Sequence, residues 1–280
     1  NYGRFGTCIM RRFLLEGEGR MKEILTYQSV EICFNGTAVI RDTSFTLHEG
    51  EILGIVGESG SGKSTLLKAA MGLLGNDGMV TRGDIWFQEK DIPDLPEKEL
   101  RQIRGEKIGM IFQDAGASLC PIRTIGEQIY ESITAHKKMS REQAKEKALG
   151  LFEKLKFQDG ERIWNSYPFE LSGGMNQRVG IAIAMLMEPP VLLADEPTSA
   201  LDVAVQRQVV QEILRLRELF GTAVILVTHD IGVVSALADT ILVLKDGQVV
   251  EYGSARQILQ YPEKEYTQRL LAAVPKLRRA

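Results

Sequence analysis

From Ile24 onward apolar and polar positions alternate through Val30-Glu31-Ile32-Cys33-Phe34, break at Asn35-Gly36, and resume over 39–47. A period of two on either side of an Asn-Gly pair predicts an antiparallel hairpin, because that dipeptide accepts the positive φ angles of a tight turn. Short apolar runs rich in β-branched residues predict further strands at 52–56, 84–87, 108–112, 191–194, 223–228, 240–244 and 248–252. Between 124 and 155 the period lengthens to that of a helix, and 141–155 is rich in Ala, Glu, Lys and Leu. The pattern predicts an α/β core preceded by an antiparallel β subdomain and interrupted by an inserted α-helical subdomain. Residues 1–20 show neither period, and their apolar Phe13-Leu14-Leu15 is too short for a secretory core. They read as a disordered leader, with Met21 the expected natural start.

Chemistry enters between the strand at 52–56 and a helical stretch over 64–71. Gly57-Glu58-Ser59-Gly60-Ser61-Gly62-Lys63-Ser64 fits G-x-x-x-x-G-K-[ST], and Thr65 follows in the new helix. Glycines there free the backbone to wrap phosphates, the unpaired amides of the helix face the anion, and Lys63 adds a point charge near the β- and γ-phosphates. Ser64 offers its hydroxyl to Mg²⁺. The plain alternative, a flexible Gly/Ser turn, does not explain why a strand leads in and a helix leads out. The expected ligand is ATP or GTP.

A second element is Val191-Leu192-Leu193-Ala194-Asp195-Glu196, a continuous apolar run ending in two carboxylates, as a buried parallel strand would read. Ligands in such folds sit beyond the carboxyl ends of strands. Asp195 is thereby placed to reach the Mg²⁺ shell, and Glu196 is the candidate general base facing the γ-phosphate. The third element, Leu171-Ser172-Gly173-Gly174-Met175-Asn176-Gln177, places Ser172 as a helix N-cap with Gly173 and Gly174 behind it, a second anion cradle. One active site does not need two phosphate cradles, so the second is expected to act on nucleotide held by a neighbouring subunit. Phe34 ends a strand where its ring is placed either to stack on adenine or to be an ordinary half-buried strand aromatic.

With these residues in hand, the chain resembles the ATP-binding cassette (ABC) family, whose core is a P-loop NTPase fold, over nearly everything from Ile24 to Tyr252. The resemblance implies that Gln113 links Mg²⁺ and attacking water to a membrane partner and that Ser199-Ala200-Leu201-Asp202 crosses a dimer interface. It also implies that His229, in Thr228-His229-Asp230, contacts the γ-phosphate, although a lone histidine after a strand is more often a packing or surface residue. A narrower resemblance is to the peptide/nickel importer group. It rests on Gln113-Asp114, Ser118-Leu119, Pro121, Thr124-Ile125-Gly126-Glu127-Gln128, Tyr167-Pro168-Phe169-Glu170 and the terminal Tyr261-Pro262 and Tyr266-Thr267-Gln268-Arg269-Leu270-Leu271. Ala115 stands where that group usually has proline, Cys120 where it has asparagine, and Met175 where the family's usual wording is SGGQ. The implied organisation is a cassette over 21–252 with its helical subdomain at about 114–175, then a helical extension over 253–280.

The implied activity is ATP hydrolysis with Mg²⁺, powering uptake through two transmembrane permease subunits fed by an extracytoplasmic substrate-binding protein. The implied location is the cytoplasmic face of the membrane, as a peripheral subunit. A second cassette, identical or related, completes each ATP site. Peptide and nickel both remain open as cargo, as does a non-catalytic regulatory subunit that binds ATP to hold a dimer; that reading predicts loss of the base or the histidine, and Glu196 and His229 are both present.

Composition narrows the alternatives. A net charge of −3 and pI near 5.8 give no electrostatic basis for nucleic-acid binding. Cys8, Cys33 and Cys120 are odd in number and widely spaced, which offers neither a disulfide framework nor a C-x-x-C metal site and fits a reducing compartment. No apolar stretch reaches the length of a membrane span. Chromosome-maintenance ATPases separate the two phosphate elements by long coiled coils, whereas about a hundred residues without sustained heptads intervene here.

Overall fold

Alternating burial divides each central strand between two cores. The computed structural model describes residues 22–199 and 201–273; the expected leader, Ala200 and the last seven residues lie outside the described residues. Strands β1 (Glu23–Phe34), β2 (Thr37–His48), β4 (Gly78–Phe87) and β5 (Lys90–Asp91) form an antiparallel sheet in the order β2-β1-β4-β5. The Asn35-Gly36 turn joins β1 to β2 with both residues at positive φ, as its composition demands. A second sheet has the order β10-β9-β3-β8-β7-β6. It contains β3 (Ile52–Val56), β6 (Ile108–Ile111), β7 (Val191–Asp195), β8 (Ala223–Val227), β9 (Thr240–Lys245) and β10 (Gln248–Ser254). Its first five strands in chain order are parallel, and β10 closes the edge antiparallel to β9.

Ile52 and Val56 of β3 share one core with Leu192, Ala194, Val224 and Leu226, while Leu53 and Ile55 share the other with Leu193, Ile225 and Val227. Both faces of the parallel sheet are therefore covered, which is why its strands read as unbroken apolar runs. One face packs on the antiparallel sheet, α1 (Lys63–Ala70) and α2 (Glu97–Ile103). The other packs on α7 (Gly173–Ala184), α8 (Val203–Phe220), α9 (Ile231–Leu237) and α10 (Ala255–Gln260). The chain leaves the sheet after β6 and forms α3 (Ala115–Ser118), α4 (Ile125–Thr134), α5 (Arg141–Lys154) and α6 (Gly160–Asn165) before returning through α7. Thr124 and Ser140 start α4 and α5 with reciprocal capping boxes, closed by Glu127 and Gln143. The β10 strand runs two residues past the 248–252 expected from pattern, so Gly253 and Ser254 belong to the sheet rather than to the extension; α10 and α11 (Glu265–Ala272) follow. Among the described residues no helix is long and apolar enough to cross a membrane.

Inside the helical insertion, Gly126 sits on α4 where a Cβ would lie 2.4 Å from the Trp164 ring, itself 4% exposed. Alanine is the better helix former by about 1 kcal/mol, but overpacking a buried ring costs about 1–3 kcal/mol. With a Cβ this close to a buried ring the cost falls toward the upper end of that range, so Gly126→Ala is expected to lower stability by up to about 2 kcal/mol in urea unfolding; an unchanged midpoint would show that Trp164 moves aside freely.

Candidate functional site: a phosphate loop facing two carboxylates

β3 delivers the chain to Gly57 and α1 takes it away from Lys63, so the loop between them lies at the carboxyl edge of the parallel sheet. Gly62 adopts φ +100°, and a Cβ there would meet Ile40 Cδ1 at 2.5 Å; the position is closed to other residues on both counts. The first turn of α1 has no side-chain cap and no acidic residue, which leaves its amides for an anion. Ser61 is buried and its Oγ has no partner, an unmet hydrogen-bonding group inside the cradle. Ser61 N–H donates to Glu58 O at 3.2 Å, while Gly247 N–H donates to Ser61 O at 3.1 Å. The β9–β10 turn thus braces the loop from below.

Lys63 is 5% exposed and donates its Nζ to the carbonyls of Gly57 at 2.9 Å and Glu58 at 2.8 Å. Burial holds its pKa below the usual lysine range, against the pull of Glu196 and Asp195, which favour the charged form. Ser64 Oγ donates to Asp195 Oδ1 at 2.8 Å. Asp195 is buried, and desolvation raises its pKa despite that hydrogen bond. An ammonium and a carboxylate are thus both held in surroundings that disfavour their charges, beside the uncapped first turn of α1.

Glu196 takes the first position after β7 with φ +44°, uncommon for a non-glycine residue and a conformation costing on the order of 1 kcal/mol. Its N–H is held by Val227 O at 2.8 Å, which carries it onto β8. The side chain then gathers two partners from different strands: Gln113 Nε2 donates to Oε2 at 3.3 Å from beyond β6, and His229 Nδ1 lies 3.2 Å from Oε1 beyond β8. Gln113 and His229 are exposed, while the Glu196 side chain between them is only 17% exposed. Asp230 caps α9 by accepting from Gly232 and Val233 N–H, fixing the turn that carries His229.

The other expected site residues form a second group. Ser172 caps α7, accepting from Met175 N–H at 3.2 Å, and Gly173 has open space where a Cβ would be. Gly174 lies so close to α8 that a Cβ would be 2.7 Å from Val205 Cγ1. Asp202 caps α8 by accepting from Ala204 and Val205 N–H at 2.9 and 3.0 Å. The two groups are joined by Gln177, whose Nε2 donates to Pro197 O at 2.9 Å, one residue beyond Glu196. Glu58, Ser59, Gly60 and Thr65 lie in the loop and first turn as expected. Phe34 ends β1, its ring packed over Gly78 and partly buried against the core of the antiparallel sheet. The reach of Gln177, the last residue of the 171–177 element, to Pro197 and the bracing of the loop by Gly247 had no signal in the sequence, because both contacts join segments that no local spacing relates.

The ABC transporter family matches residues 40–199, which include the phosphate loop, Gln113, the second cradle and both carboxylates. The chain belongs to the ABC transporter family. Its cassette binds and hydrolyses ATP. It is 46% identical over 238 residues to the oligopeptide transport ATP-binding protein OppD of Salmonella typhimurium, covering 85% of this chain and 71% of that protein. It is 42% identical over 263 residues to the dipeptide transport ATP-binding protein DppD of Bacillus subtilis, covering 92% and 78%. Among solved structures, the dimeric post-hydrolysis cassette MJ0796 bound to ADP and Pi superposes with a TM-score of 0.72 at 33% identity, covering 83% of this chain and 99% of that one.

Because burial raises the Asp195 pKa, ionising it opposes folding. Below the ordinary carboxylate range the group is neutral in both folded and unfolded chains and the penalty is absent. It grows as pH rises through that range to the raised folded value, and is then constant. Asp195→Asn is therefore expected to raise the thermal midpoint of the ATP-free cassette at pH 7, with the gain disappearing in acid. A variant less stable than wild type at pH 7 would show that the hydrogen bond from Ser64 outweighs the burial of charge.

Proposed function

We propose that this cassette energises import of short peptides, with Glu196 as the general base for ATP hydrolysis. The convergence of Gln113 and His229 on Glu196, from the ends of two strands flanking β7, is the observation that carries the assignment. The Gly57–Thr65 loop binds the triphosphate, Lys63 leaves the loop carbonyls for the β- and γ-phosphates, and the free Ser61 hydroxyl finds an acceptor there. Glu196 takes a proton from water attacking the γ-phosphorus, the bond to the β,γ-bridging oxygen breaks, and ADP and phosphate result. His229 holds the γ-phosphate, and Gln113 orients the water. Ser64 and Asp195 are hard oxygen donors already in contact, a set suited to a small divalent cation that keeps most of its waters. Mg²⁺ held by them would neutralise charge on the β- and γ-oxygens.

The second group, Ser172, Gly173, Gly174 and Asp202, serves nucleotide bound by a partner cassette. Gly173 has the open space such an approach needs, and a dimeric cassette is among the similar solved structures, at TM-score 0.72. Cargo follows from the relatives, named for oligopeptides, dipeptides and, in the 43% identical GsiA of Escherichia coli, glutathione; all are peptides, which favours peptide over nickel. A permease meets the cassette around and after Gln113, where Phe112 and Ile122 are exposed, and at Tyr167, which stacks on the 72% exposed Phe169. That contact puts the cassette on the cytoplasmic face of the membrane, near a permease supplied by an extracytoplasmic binding protein.

Glu196→Gln is expected to keep ATP affinity and lower turnover by about 10²–10⁴-fold. It should also trap an ATP-dependent dimer visible by light scattering; unchanged hydrolysis would remove Glu196 as the base. In the assembled transporter, Phe169→Asp is expected to reduce recovery of the cassette with its membrane subunits while ATP affinity of the isolated cassette stays unchanged; undiminished recovery would place the permease contact elsewhere.

A further inference from the structure

The C-terminal helix α11 reaches back to the phosphate loop. Glu58 N–H donates to Tyr266 Oη at 3.2 Å across 208 residues of chain. The same peptide segment holds Lys63, since Glu58 O accepts from Lys63 Nζ at 2.8 Å and from Ser61 N–H at 3.2 Å. Glu58 is thus gripped on both sides, by its carbonyl from within the loop and by its amide from the extension. Tyr266 is itself held in place. Lys245, at the end of β9, lies 5.0 Å from its ring centroid. The chain entering α11 is pinned to β10 by Glu251, whose carboxylate accepts from Glu263 N–H at 2.9 Å and Lys264 N–H at 3.3 Å, and Thr267 is 1% exposed. Burial raises the pKa of the tyrosine, which keeps the phenol neutral at physiological pH.

We propose that Tyr266 is a positioning residue for ATP binding: through Glu58 it holds the open end of the phosphate loop, and with it Lys63, in the shape that receives a triphosphate. This rests on the assignment of Gly57–Thr65 as the ATP loop. A helix outside the matched family segment thereby becomes part of the nucleotide site, and whatever displaces α11 changes ATP affinity without touching the catalytic carboxylate.

Tyr266→Phe removes only the hydroxyl and leaves the ring over Lys245. With one neutral hydrogen bond lost, the Kd of the full chain for a fluorescent ATP analogue is expected to rise about three- to tenfold. In the assembled transporter KM for ATP should rise similarly while kcat at saturating ATP stays within about twofold, as for loss of a binding-only contact. Tyr252→Phe is the control, since its hydroxyl donates to Thr46 O on β2 and lies off the loop; it should leave Kd unchanged. Equal Kd for Tyr266→Phe and wild type would overturn the proposal, as would an equal rise in Tyr252→Phe, which marks a general loosening. If the wild-type chain bound no ATP, the assignment of the loop itself would fail instead, so the two failures are distinguishable.

Discussion

The parallel register of β3, β8, β7 and β6 is the constraint on which the site depends. Ile55 pairs with Val227, Asp195 with Val227 across the next strand, and Ala194 with Ile111, so the chain ends of four strands come to one edge. At that edge the phosphate loop leaves β3, the two carboxylates leave β7, Gln113 follows β6 and His229 follows β8. Hydrophobic burial on both faces holds the register, because a one-residue slip would turn each apolar side chain to the opposite core. Nothing local to the loop or to the carboxylates could bring them together.

That edge carries an electrostatic tension. Burial lowers the pKa of Lys63 and raises that of Asp195, and each is paired only with loop carbonyls or a serine hydroxyl. Ser61 adds a buried hydroxyl with no acceptor, and Glu196 adds a strained backbone. Groups that fold at a cost to stability mark a site shaped for a ligand rather than for the resting chain. Under the proposed function a triphosphate supplies acceptors to Lys63 and Ser61, and a divalent cation would offset the charge of Asp195.

The helical insertion and the C-terminal helix make the same edge answer to other parts of the molecule. Gln177 ties the second cradle to the turn after Glu196, and Gly174 packs directly on α8. Tyr266 and Gly247 hold the other side of the loop. Binding and hydrolysis are thus set in a frame whose supports come from residues far apart in the chain, as a subunit that turns chemistry into motion requires.

Much of this is legible in the chain itself. The glycine spacing of the loop, the apolar run ending in Asp195-Glu196 and the capped glycines after Ser172 each encode a local geometry, since backbone freedom, strand burial and helix capping act within a few residues. The hairpin turn at Asn35-Gly36 and the helical period of the insertion are local in the same sense. The sequence by itself therefore determined the elements, their order and the kind of chemistry each could hold. Tertiary structure alone decided that Gln113 and His229 meet on Glu196, that Gln177 reaches Pro197, and that Tyr266 closes on Glu58, because contacts between residues tens to hundreds of positions apart follow from sheet register and packing, which no single stretch of chain contains.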